Sequence, residues 1–248
     1  MRALVVVALL LILPLPARAQ APGKWPPDSL VNTHVIPRGT PVSQVVGTMR
    51  DFATHLGVRC TYCHVGEEGQ PLAQLDFASD EKRNKLVARQ MMRMVQEVNR
   101  RLDTIPEPGA PEVNVNCLTC HRGVSRPVPL SLLVSETAVA SGADSAVRAY
   151  RALRERHFGR AAYDFGELSL NAAALRTARV GKTEEALALL QLNQEQFPEA
   201  ASVHVMRGNV LLIRGDTTAA AQSLREALRR DPRNFDARSR LRDIGRDP

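Results

Sequence analysis

Residues 60–64 read CTYCH and residues 117–121 read CLTCH, and these two stretches use all four cysteines of a 248-residue chain. Two cysteines separated by two residues can bind a metal, cycle as a dithiol, or bond covalently to the vinyl groups of haem. Four thiolates would satisfy tetrahedral zinc. The pairs lie 57 residues apart, however, which is longer than zinc-ribbon spacing. A thioredoxin-type dithiol needs a strand-helix-strand setting, and neither pair has one nearby. The histidine directly after each second cysteine decides between the three. In CxxCH the sulfurs become thioethers at the porphyrin edge, and the tether brings the next imidazole to the iron. The reading is therefore two covalently attached haem c groups, with Cys60, Cys63 and His64 serving one iron and Cys117, Cys120 and His121 the other. No cysteine is left for a disulfide.

The N-terminus fits this chemistry. MRALVVVALLLILPLPARAQ carries Arg2, an apolar run from Ala3 to Leu15, and Ala17-Arg18-Ala19 as a small-residue cleavage site. That pattern predicts a signal peptide over 1–19, cut after Ala19, and a periplasmic mature protein that can lie at the membrane surface. No cysteine follows the apolar run, so a lipid anchor is not expected there. Without Arg2 and Arg18 the formal charge of +7 falls to +5, and ten aromatics (one Trp, three Tyr, six Phe) are too few to interleave a basic stripe. Nucleic acid is thereby excluded as a partner.

The expected fold class is all-α. Residues 20–130 are expected to form a dihaem cytochrome domain with much irregular chain, residues 131–160 a linker and packing helix, and residues 161–248 a helical repeat region. The first helix is bounded by Thr40, Pro41 and Gly57, with Val42, Val45, Val46, Met49, Phe52, Ala53 and Leu56 on one face. The second is expected from about Asp80 to Leu102, opened by Ser79, Asp80 and Glu81, with Val87, Met91, Met94, Val98 and Leu102 on a buried stripe. Pro106, Pro108 and Pro111 break the chain before CLTCH. Residues 122–143 look like a linker. Beyond it Gly181 and Gly215, Ala186 and Ala220, Leu190 and Leu224, and Pro198 and Pro232 are each 34 residues apart, the tetratricopeptide period. Helix pairs are expected at 167–180 with 183–197 and 201–214 with 217–230. A helix at about 144–158 precedes them, and a short one at about 234–244 caps the stack.

Each haem iron needs a second axial ligand or keeps an open site. Met49 lies eight residues before Gly57, about 12 Å up its helix, which favours it for the first iron. On the second helix Met91 and Met94 are one turn apart, and spacing does not choose between them. His34 and His55 read as solvated. His157 and His204 fall in the repeat region.

TMRDFATHLGVRCTYCHV (48–65), FASDEK (77–82), VARQMMRMVQEVN (87–99) and VNCLTCHRG (115–123) resemble the photosynthetic reaction centre cytochrome c subunit family over roughly residues 30–130. The resemblance implies that a helix supplies Met to a haem held by the following CxxCH. It assigns Met49 to the first iron and, by its place after VAR-x, Met91 to the second. It also implies electron transfer rather than catalysis, and a membrane redox complex such as a photosynthetic reaction centre as partner. Well-known members bind four haems, where this chain has two motifs. His/Met coordination closes both irons, so the expected function is electron carriage. Two rival classes are a peroxidase-like dihaem oxidoreductase, with one open iron, and a tetratricopeptide adaptor gripping a protein partner with a fused haem domain.

Overall fold

The computed structural model describes residues 24–106 and 113–247, and the expected signal peptide, residues 1–19, lies outside them. The described chain is all-helical apart from loops and one isolated antiparallel bridge between Val65 and Asp76. Contacts divide it into two compact units. One holds the described residues up to Ala53 with Arg59–Asn114, and the other Thr54–Val58 with the residues from Val115 onward. The division falls ahead of the second motif, so CLTCH groups with the helical repeats and CTYCH does not.

Helix α1 spans Val42–Leu56, its last residues from Thr54 grouping with the second unit, and α2 spans Arg83–Leu102 in the first. Pro41 opens α1, its carbonyl accepting the amides of Gln44 and Val45 at 3.0 and 3.2 Å, and Gly57 at φ +64° ends it. A side chain is costly at that positive φ, and a Cβ on Gly57 would also sit 2.2 Å from the Gly123 carbonyl oxygen. The start of α2 departs from expectation. The helix begins at Arg83, with Lys82 extended ahead of it and no side-chain cap. Asp80 binds Lys85 and Arg89 instead of backbone amides, so it does not act as the cap that its position suggested. The stripe on α2 is also not buried. Val87 is 39%, Met91 37% and Met94 49% exposed, and no residue of this helix is fully buried.

The second unit is packed by its own side chains. It runs α3 (Cys117–His121), α4 (Leu130–Ser141), α5 (Ala143–His157), α6 (Glu167–Arg179), α7 (Thr183–Gln196), α8 (Ala201–Arg214), α9 (Thr217–Arg230) and α10 (Phe235–Asp243). The pairs α6/α7 and α8/α9 stand where the 34-residue period put them. Equivalent positions are in equivalent places: Ala186 and Ala220, and Leu190 and Leu224, are fully buried, and Gly181 and Gly215 turn the chain at φ +83° and +88°. Leu224 closes on Gly208, where a Cβ would lie 2.8 Å from the leucine Cγ, so α8 and α9 approach closely only because position 208 has no side chain. Part of the expected linker is a core helix. In α4, Leu130, Val134 and Ala138 recur at i, i+4 and i+8 and join the same buried cluster as Tyr150, Leu170 and Leu190. Pro129 and Gly142, which looked like linker residues, are its N-terminal and C-terminal boundaries.

Candidate haem sites

The first motif follows α1 after a short extended stretch. Cys60–Tyr62 form a single 3-10 turn, and the Cys60 carbonyl accepts the amides of Cys63 at 3.2 Å and His64 at 2.9 Å. The turn holds both cysteines and the histidine on one short arc of chain. Cys60 is exposed and Cys63 half-buried, and both are free thiols. Burial pushes the Cys63 thiol up from its usual range, partly offset by Lys82. The His64 imidazole packs edge-on against Phe77, ring centroids 4.8 Å apart, and Phe77 stacks on Trp25 at 4.7 Å. Burial, and next the charge of Lys85, lower the His64 pKa to about 4. At neutral pH the ring is uncharged and keeps a lone pair for a metal.

The second motif is itself helical. Asn116 and Thr119 close a reciprocal capping box on α3, the Thr119 amide reaching Asn116 Oδ1 at 3.2 Å and the Asn116 amide reaching Thr119 Oγ1 at 3.1 Å. Arg122 then turns left-handed at φ 50° and Gly123 follows at φ +83°. The Gly123 amide donates to the His55 carbonyl at 2.9 Å, which fastens the chain leaving CLTCH to the C-terminal end of α1. This reversal also orients the histidine. His121 Nδ1 lies 2.9 Å from the Val124 carbonyl oxygen. A carbonyl only accepts, so Nδ1 carries the proton and the Nε2 lone pair is free to coordinate. Cys117 is half-buried and Cys120 exposed, and burial raises the Cys117 thiol pKa.

Both motifs therefore offer a paired-thiol arc and an imidazole able to coordinate, flanked in the first unit by apolar side chains that are not buried. Val45 and Leu75 are the only buried hydrophobic residues among the described residues of that unit. Leu86, Val87, Met91 and Met94 present an apolar face along α2, all at least 37% exposed. This donor set and these flanks fit a porphyrin. Among the described residues no three Cys, His, Asp or Glu side chains gather as a metal centre would require.

Met49 is half-buried on α1, in the same unit as the first motif. Met91 is on α2 in the first unit, and Cys117, Cys120 and His121 are in the second. His34 is exposed and bonded to Asn32 at 2.7 Å, His157 packs against Tyr163, and His204 is buried within α8. His55 is half-buried, not solvated as expected, with Nδ1 enclosed and unpartnered among the described residues. The pairing of Lys85 and Arg89 with Asp80, and the reach of Lys82 to the Thr61 carbonyl, were not foreseen. Both depend on the path of the loop ahead of α2, and no helical or strand periodicity encodes that path.

A family model described as the photosynthetic reaction centre cytochrome C subunit matches residues 44–187 of the chain. The photosynthetic reaction center cytochrome c subunit of Roseobacter denitrificans is 42% identical over 64 residues, covering 26% of this chain and 16% of that protein. The match thus spans under a fifth of the relative's length.

Proposed function

Since this chain belongs to the photosynthetic reaction centre cytochrome c subunit family, we propose that it is an exported two-haem cytochrome c that passes electrons to a membrane-associated redox complex of the reaction-centre kind. The observation that carries the reading is the His121 Nδ1 bond to the Val124 carbonyl, which presents Nε2 as a ligand beside a cysteine pair. Cys60 and Cys63 would tether one haem, with His64 and Met49 holding its iron. Cys117 and Cys120 would tether the other, with His121 and Met91. The Met91 assignment rests on its place in the VARQMM stretch.

A haem bound so supplies a one-electron iron couple, and thioether coordination favours its reduced form. The chain's own residues set the rest. The short turns at Cys60–Tyr62 and Cys117–His121 fix the tethers and bring each imidazole to its task. With haem bound, the apolar face of α2 and the Trp25-Phe77 pair would exclude water, so that a charge change at the site would meet little rearranging solvent. Met49 and Met91 would supply the second ligand to each iron, which would leave no open site for peroxide. No described helix is long and apolar enough to cross a membrane. The contact with a membrane complex is accordingly assigned to the protein surface, with the 34-residue repeats as the docking element for a protein partner.

Carbon monoxide tests the coordination. The reduced spectrum of the matured protein is expected to stay unchanged under the gas, whereas Met49→Leu opens one iron and shifts part of the spectrum. A wild-type spectrum that shifts would contradict the carrier reading and favour the dihaem oxidoreductase.

A further inference from the structure

Beside the first motif the chain concentrates positive charge that neither tethers nor ligates. Lys85 is 11% exposed, and its Nζ donates to the carbonyls of Phe77, Ala78 and Ser79 at 2.9, 2.9 and 2.7 Å while pairing with Asp80 at 3.0 Å. Arg89, 13% exposed, meets Asp80 Oδ2 at 2.8 Å and the Asn32 carbonyl at 3.0 Å. Lys82 reaches into the motif itself, its Nζ donating to the Thr61 carbonyl. Lys85 and Arg89 thus share the one carboxylate of Asp80, while Asp76 is taken up by the Ala78 and Ser79 amides at 2.9 Å each.

The cluster is linked to His64 by a short route, because Phe77 both gives its carbonyl to Lys85 and packs its ring on the imidazole. A cation held this far from water acts through a lower effective dielectric than a surface lysine, so its field reaches the site less attenuated. Lys85 reaches the site through Phe77, and Lys82 through the Thr61 carbonyl of the motif. Their field opposes positive charge placed there, including the additional unit on oxidised iron. We propose that Lys85, supported by Lys82, is a potential-setting residue of the first haem, making that site a stronger electron acceptor than its axial ligands alone would. The inference rests on the haem reading of CTYCH and adds to it a named source of the first site's potential.

Lys85 also ties down the loop ahead of α2, so the test must separate charge from scaffolding. Redox titration of the matured full chain, following both haems, does so. Lys85→Met is expected to lower the first haem's potential, so that its reduced-to-oxidised ratio at a fixed ambient potential falls about tenfold, or ~59 mV for one electron. Lys85→Arg keeps the charge and should keep the potential. Asp80→Asn removes a compensating negative charge and should raise it, a reversal that damage to the loop would not produce. Should Lys85→Met fail to mature, Lys82→Met is expected to shift the same haem downward by less. An unchanged first potential in a haem-loaded neutral variant, or shifts of one sign in Lys85→Met and Asp80→Asn, would overturn the proposal. A chain carrying no haem at CTYCH would instead remove the reading beneath it.

Discussion

Helix α2 has twenty residues and buries none of them, whereas α9 has fourteen and buries Ala220, Ala221, Leu224 and Ala227. The two helices are similarly amphipathic in sequence, yet only one finds its apolar partner among the side chains of its own unit. Burying a leucine is worth about 1.5–3 kcal/mol, so the helical stack carries a self-sufficient core and the cytochrome-like unit does not. The difference teaches that amphipathicity declares a face that needs covering without declaring what covers it. In the repeats the cover is protein. In the first unit the adjoining thiol pair and neutral imidazole point to porphyrin.

That contrast breaks most directly when the tether is removed. Replacing all four motif cysteines together by Ala is expected to cost both haems and to abolish amide exchange protection along α2, while α6–α9 stay protected. Equal protection in both units would show that the first unit has a core of its own. The converse change comes next in size. Leu224→Ala truncates a fully buried side chain between α8 and α9 and should cost the stack about 2–5 kcal/mol in denaturant unfolding, with both haem spectra unaltered. The smallest effect concerns acid. Arg89 and then Lys85 hold the Asp80 carboxyl well below the usual carboxylate range. Its stabilising contribution is therefore complete above the unfolded-state pKa of about 3.9 and fades as pH drops below it. The melting-temperature gap between wild type and Asp80→Asn should be constant from pH 7 to 5 and narrow below about 4; a gap that widened in acid would contradict the ion-pair assignment.

The repeat unit was legible in the sequence because its pattern is written in local rules. Glycine at the positive-φ turn and Ala and Leu at the contact positions recur every 34 residues and need no partner beyond the neighbouring hairpin. The two motifs stand out in the sequence for a chemical reason, since five contiguous residues would hold both the tether and the ligand. Helix α4 was missed because Pro129 and Gly142 also fit a linker, and the intervening serines and alanines gave a weak apolar contrast that tertiary packing resolved. The burial of the α2 stripe was misjudged because periodicity shows a face and not its cover. The contacts of Lys85 could not be read at all, since three successive carbonyls converge on it only after the loop at 76–82 has taken its path.

The account stands on two porphyrin irons riveted to one chain, and the haem count of the purified, matured protein tests this most directly. Denaturing mass analysis combined with a pyridine haemochrome spectrum should give two haems per polypeptide, both retained after unfolding because the attachment is covalent. A colourless chain, one that releases its pigment on unfolding, or one carrying zinc on its four cysteines would contradict it.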